Sequence, residues 1–235
     1  MHNARKSPKA FTLVELLVVI AIIAVLASVS LAVSRKMMAS ANQTVCTANL
    51  RSLAVALNSY ATKNGGVFPV TDQGGGESPS NWIVALLDGE YLYPKQPESQ
   101  RAFGNNRGKN CFFCPSAVRV AKPLDGNWNT YAMNVQAGGW YQTAGQASAA
   151  RLTRILHPAE TALVMDGCRQ GSYYLTHVGR QDSFPEFVHP PDLFDKSSDP
   201  NRGANVAFVD GHAEYRKVPT LPRDTSDVFW SDIKP

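Results

Sequence analysis

Charge is scarce in this sequence. Asp, Glu, Lys and Arg make up 18% of its 235 residues, against 44% hydrophobic residues. That balance excludes a long disordered polyampholyte. Glycine and proline, 17 and 15 in number, are too few for a collagen-like repeat. Acidic residues are missing from the first ten positions, which hold Arg5, Lys6 and Lys9. Those three account for most of the net charge of +4, because the other 20 basic residues face 19 acidic ones. A phosphate-binding surface is therefore not implied, and no nucleic-acid partner is expected. The length fits one medium domain, or a small domain with an appendage.

The most informative absence is local. From Leu16 to Ser34, 19 consecutive residues carry no charge. At ~1.5 Å per residue such a helix matches the ~30 Å hydrocarbon core of a bilayer. A secretory signal peptide, cut near Ala27-Ser28-Val29-Ser30, would have this shape, as would a plain signal anchor. Glu15 argues against both. A carboxylate costs roughly 2.5–3.5 kcal/mol at the bilayer centre, and a signal peptide has no use for it. Arg5, Lys6, Lys9 and the free amine precede the span, while Arg35 and Lys36 follow it. The balance places the N-terminus in the cytoplasm and the remainder outside it.

The stretch Lys9-Ala10-Phe11-Thr12-Leu13-Val14-Glu15-Leu16-Leu17-Val18-Val19-Ile20 closely resembles the class III leader of type IV pilins and type II secretion pseudopilins. The resemblance implies cleavage between Ala10 and Phe11 by a prepilin peptidase, N-methylation of Phe11, and Glu15 as the fifth mature residue. The family usually has Gly before the cut, where this chain has Ala10. In the family's assembly scheme the buried Glu15 carboxylate pairs with the amino terminus of a neighbouring subunit's Phe11, which would fix axial register.

Helical patterning continues past the apolar run. Cys46, Leu50, Leu53, Leu57 and Tyr60 form a one-sided stripe, and Asn49, Arg51, Ser52, Asn58 and Ser59 suit a wetter face. Asn64-Gly65-Gly66 is a stop signal. One helix is expected over residues 11–63, roughly 80 Å long at 1.5 Å per residue. The predicted organisation is a leader over 1–10, a transmembrane helix over 11–36, an amphipathic continuation over 37–64, and an extracytoplasmic globular domain over 65–235. Ser80 to Leu87 reads as a short capped helix. Glu160–Met165 followed by Asp166-Gly167, and Gly203–Val209 followed by Asp210-Gly211, read as strands with turn signals. Tyr173–Thr176 is a weaker strand. The expected fold is α+β and pilin-like, with the long helix packed on an antiparallel sheet.

Cys46-Thr47-Ala48-Asn49-Leu50-Arg51, Phe113-Cys114-Pro115-Ser116, Tyr131-Ala132-Met133-Asn134 and Asn205–His212 resemble a pseudopilin-like group abundant in planctomycete, verrucomicrobial and related bacteria. Its C-terminal signature is a His, nine residues, then Asp-Gly. Asp210-Gly211 fits, but Pro200 stands where the His is expected. Two of these islands hold Cys46 and Cys114, and the resemblance points to that pair as a disulfide stapling helix to loop.

Other chemistry is thinly represented. The candidate disulfide cysteines are Cys46, Cys111, Cys114 and Cys168, and spacing alone does not choose among their connectivities. Cys111-Phe112-Phe113-Cys114 has redox-motif spacing, but Pro115 follows and no strand-then-helix setting surrounds it. No second close Cys pair completes a zinc site, so neither metal nor cofactor is expected. His2 lies in the leader, His157-Pro158 and His189-Pro190 read as turns, and His212 reads as solvent-facing. No G-x-S-x-G elbow occurs, nor the Lys-Ser/Thr of a phosphate loop after Gly74-Gly75-Gly76. Asp192, Asp195 and Asp199 cluster in the 192–201 loop, but without EF-hand spacing and with Lys196 among them, so it reads as a solvated loop.

The sequence thus predicts a non-enzymatic structural subunit of a type II secretion pseudopilus or type IV pilus-like filament. Expected partners are other pilin subunits, the prepilin peptidase, the inner-membrane assembly machinery and membrane lipid. The competing prediction is a membrane-anchored module that binds glycan, peptide or secreted cargo through Trp82, Trp128, Trp140, Tyr141 or Trp230.

Overall fold

The computed structural model describes residues 12–71, 81–92, 111–120, 130–139, 149–167, 177–178, 189, 199–224 and 226–231. Its main elements are α1 (Leu13–Lys63), α2 (Trp82–Asp88), α3 (Pro115–Val120), β1 (Tyr131–Asn134), α4 (Val135–Gly138), β2 (Ala162–Asp166), β3 (His177–Val178), β4 (Gly203–Phe208) and β5 (Ala213–Lys217). The arrangement is α+β. The chain divides into two compact units, Met1–Ser40 and Ala41–Pro235. The part of α1 from Ala41 onward falls in the second unit.

In the first unit, the large apolar side chains described between Leu13 and Val33 are 46–79% exposed. Helix α1 is long and apolar enough to cross a membrane.

In the second unit the stripe on α1 becomes the core. Cys46, Leu50, Leu53 and Leu57 are fully buried, and Tyr60 packs at the margin. Burying one such leucine contributes roughly 1.5–3 kcal/mol. The intervening polar residues are not merely wet. Asn49 Nδ2 donates to the Phe113 carbonyl at 3.0 Å, and Asn58 Nδ2 to the Val209 carbonyl at 2.9 Å. The helix ends at the expected glycines. Gly65 and Gly66 take positive φ of 65° and 82°, and Gly66 N–H closes on the Ala61 carbonyl. Helix α2 begins as anticipated, with Asn81 Oδ1 accepting from the Ile83 and Val84 amides.

The sheet order is β3-β1-β2-β4-β5. Four strands, β1, β2, β4 and β5, pair antiparallel. The two-residue β3 adds to the β1 edge in parallel, with Met133 opposite His177. Both faces are buried. Tyr131, Met133 and Leu163 join the α1 core, while Ala132, Met165, Val206 and Phe208 pack with Leu221, Phe229 and Trp230. The C-terminal segment covering the second face explains why β2 and β4 are buried along their whole length instead of alternating. Trp82 and Trp230 are fully buried, so neither is an exposed aromatic available for ligand binding. Trp128, Trp140, Tyr141 and the Tyr173–Thr176 strand lie outside the described residues.

Candidate functional site

Two groups of residues carry the chemistry. The first is the start of α1. Thr12 precedes the helix, and Glu15 stands three residues on, in its first turn. Glu15 Oε2 accepts from the Thr12 amide at 2.9 Å and from the Thr12 hydroxyl at 2.8 Å. The Glu15 amide in turn donates to Thr12 Oγ1 at 3.3 Å. This is a reciprocal capping box. It satisfies amide donors that a helix start leaves open and that hydrocarbon would not hydrate. The Thr-x-x-Glu spacing that signals this box is present in the sequence, beside the intersubunit pairing that the resemblance implies for Glu15. Ala10 and Phe11 lie outside the described residues.

Residues 5–31 match the prokaryotic N-terminal methylation motif. This supports a type IV pilin-like protein and is consistent with membrane anchoring through the apolar half of α1. Such a motif implies processing by a peptidase and assembly with other pilin subunits in general. No curated protein and no solved structure matches the chain.

The second group lies inside the globular unit. Cys46, on the buried face of α1, is joined by a disulfide to Cys114, just before α3, with Cα atoms 4.9 Å apart. Both are fully buried. The Cys114 amide donates to Thr130 Oγ1, and the Tyr131 hydroxyl donates to the Cys46 carbonyl at 3.3 Å. Burial, reinforced by the Asp166 charge, holds the Tyr131 phenol well above its ordinary pKa, so it stays a donor. Cys111 is a half-buried thiol outside this disulfide, and Cys168 lies outside the described residues.

Asp166 and His189 sit against the disulfide. The sequence marked both as turn residues. Asp166 is instead the last residue of β2, paired with Tyr131 and fully buried. His189 is also fully buried, held by a two-way backbone bridge to Gly203. His189 Nε2 lies 3.3 Å from Cys114 Sγ and 3.4 Å from Asp166 Oδ2. Asn205 secures the carboxylate, donating to Asp166 Oδ2 from its amide at 2.7 Å and from Nδ2 at 2.8 Å. Thr47 Oγ1 lies 3.1 Å from Asn205 Oδ1, linking α1 to the same network. The Tyr215 hydroxyl lies 3.2 Å from the His189 carbonyl and 2.8 Å from that of Asn201. Burial raises the Asp166 pKa and lowers that of His189, while the attraction between them works against both shifts. Burial likewise pushes the Tyr215 phenol up to about 12.

Asp210-Gly211 forms a hairpin turn between β4 and β5. Gly211 takes φ +94°, and Asp210 Oδ1 accepts from the His212 amide at 3.0 Å. The His212 ring stacks on Phe208 with centroids 4.3 Å apart. Of the acidic loop, Asp192 and Asp195 lie outside the described residues, and Asp199 Oδ1 accepts from the Asn201 amide.

Proposed function

We propose that this protein is a structural subunit of a type II secretion pseudopilus or a type IV pilus-like filament. The observation that carries the reading is the methylation motif over residues 5–31, and Glu15 in the first turn of a long apolar helix supports it. The protein would be anchored once in the inner membrane, with residues 1–10 cytoplasmic and the globular unit outside. The peptidase would cut before Phe11, and assembly would pair Glu15 with the methylated Phe11 amine of a neighbour. That exchange gives the cap a role: Thr12 holds the carboxylate in the lone subunit, and a cationic partner strengthens the site in the filament. The role is non-catalytic. The C-terminal group with the Asp-Gly signature is the closest fit for subfamily, with Pro200 as its departure.

The test has two parts. The first is the N-terminal peptide mass of membrane-extracted protein, which should begin at methylated Phe11. The second is the yield of sheared fibres, which Glu15→Ala should reduce at unchanged cellular protein level. A chain that keeps Met1–Ala10, with fibre yield indifferent to Glu15→Ala, would overturn the proposal in favour of a tethered binding module. Of the aromatics that competing reading draws on, Trp82 and Trp230 are buried, and Trp128, Trp140 and Tyr141 lie outside the described residues.

A further inference from the structure

A disulfide needs neither a carboxylate nor an imidazole beside it. Here both are buried against the sulfurs at a desolvation cost. Among the described residues, Asp166 Oδ1 and His189 Nδ1 are buried without a hydrogen-bond partner. Packing alone would be better served by apolar side chains at both positions. What the arrangement does achieve is convergence. One donor atom from each of Cys46, Cys114, Asp166 and His189 lies within 4.8 Å of the others, and all four residues are buried. They come from α1, the start of α3, the end of β2 and the bridge to β4, so only the folded unit assembles them.

Two of the separations suit a tetrahedron. With Zn–N near 2.0–2.1 Å and Zn–S near 2.3 Å, tetrahedral ligands stand roughly 3.5 Å apart for S···N and roughly 3.3 Å apart for N···O. The observed separations are 3.3 Å for Cys114 Sγ to His189 Nε2 and 3.4 Å for His189 Nε2 to Asp166 Oδ2. The two sulfurs, bonded in the disulfide, would have to part to roughly 3.8 Å, and the remaining ligand atoms, already within 4.8 Å of one another, would close around the ion. Two thiolates, one imidazole and one carboxylate form a set that takes zinc in preference to calcium or magnesium. Asn205 already holds the carboxylate in place through two hydrogen bonds to Oδ2, as outer partners of metal ligands do.

We propose that the thiol form of this protein binds one zinc-class divalent cation through Cys46 Sγ, Cys114 Sγ, His189 Nε2 and one carboxylate oxygen of Asp166. Binding expels the two thiol protons and forms two metal–sulfur bonds, with no change in oxidation state. Four protein ligands in a closed interior leave no position for water, so the site is structural. The disulfide and the metal are alternative staples of the same contact between α1, α3 and the sheet. The inference is independent of filament assembly.

The test uses detergent-solubilised full-length protein. A water-soluble trialkylphosphine reduces the disulfide under argon. The sulfurs gain two electrons and two protons, and the phosphine leaves as its oxide with oxygen from water. After removal of reductant and trace metal, the chain is titrated with Co2+ as a spectroscopic stand-in for Zn2+. The expected result is one Co2+ per reduced chain, with tetrahedral ligand-field bands and sulfur charge transfer, and none in the oxidised chain. Zn2+ should displace Co2+ and raise the unfolding midpoint of the reduced chain only. His189→Ala and Asp166→Ala should each weaken binding at least tenfold, while Cys111→Ser and Cys168→Ser should leave it intact. If the two ligand variants fail to fold, the comparison of oxidised with reduced wild type still decides. Folded, reduced wild type that takes up no Co2+ would overturn the proposal. So would binding that follows Cys111 or Cys168, or binding indifferent to His189 and Asp166 in folded variants.

Discussion

The cross-link between Cys46 and Cys114 should be worth about 4 kcal/mol. Its two ends are 68 residues apart in sequence. In the chain-entropy account, closing a loop of that size removes about 2.1 + 1.5R ln n cal/mol/K from the unfolded chain, which at 25 °C comes to about 4 kcal/mol. The folded side adds little strain to subtract, since Cys46 lies on the packed stripe of α1 and the Cys114 amide is bonded to Thr130. A domain of this size is stable by roughly 5–15 kcal/mol, so the staple is a large share. The perturbation is reduction of the wild type by phosphine, with chelator in both samples so that no metal replaces the disulfide. Urea unfolding in detergent is followed by fluorescence of the buried Trp82 and Trp230. With a slope of about 2 kcal/mol/M, the midpoint should fall by about 2 M. A shift below about 0.5 M at equal slope would refute the reasoning, because the 68-residue loop would then already be closed by other contacts in the unfolded chain.

Two further outcomes follow from the same cluster. A Cβ on Gly203 would collide with the Arg216 carbonyl and lie 2.7 Å from the Tyr215 hydroxyl. Gly203→Ala should therefore destabilise the fold by about 1–3 kcal/mol in urea titration and loosen the His189 bridge, while a wild-type midpoint would show that β4 and β5 yield freely. Asp166→Asn should narrow its stability deficit as pH rises. The Asp166 pKa is raised above 3.8 in the fold, so its contribution is present at low pH and lost as pH climbs through the folded value. The His189 pKa is lowered below 6.5, so its contribution is present above that and lost as pH falls. Removing the carboxylate deletes the first term and deepens the second, because it removes the attraction that held the imidazole up. Both changes make the variant relatively worse in acid. Midpoints of oxidised wild type and variant from about pH 4 to pH 8 check this, and a gap that widens with pH would contradict the assignment.

Legibility followed the range of the physics involved. The α1 stripe, its glycine stop, the Asn81 cap and the Asp210-Gly211 hairpin are all set by residues within a few positions of one another, and periodicity or turn chemistry exposed them. The apolar run and Glu15 were equally visible. The Cys46–Cys114 pairing rested on resemblance, since spacing does not choose among connectivities. Asp166 and His189 were misread for one reason. Asp-Gly and His-Pro are local turn signals, and long-range pairing overrode both. Asp166 ends a strand because Tyr131 pairs with it and Asn205 donates to its carboxylate. His189 is interior because a single backbone bridge draws it to Gly203.

That bridge gives the β4 segment a second role beyond its hairpin. Gly203 and Asn205 are two residues apart on one strand, so their Cα–Cβ directions fall on the same face. The first, lacking a side chain, leaves room for the Tyr215 ring and the Arg216 carbonyl, and its backbone bridges His189. The second supplies two donors to Asp166 and meets Thr47 of α1. Five residues beyond Asn205, Asp210-Gly211 turns the chain back to make β5, which returns Tyr215 to the His189 carbonyl. The segment from Gly203 to Tyr215 is therefore one device, in which a hairpin positions a buried polar cluster.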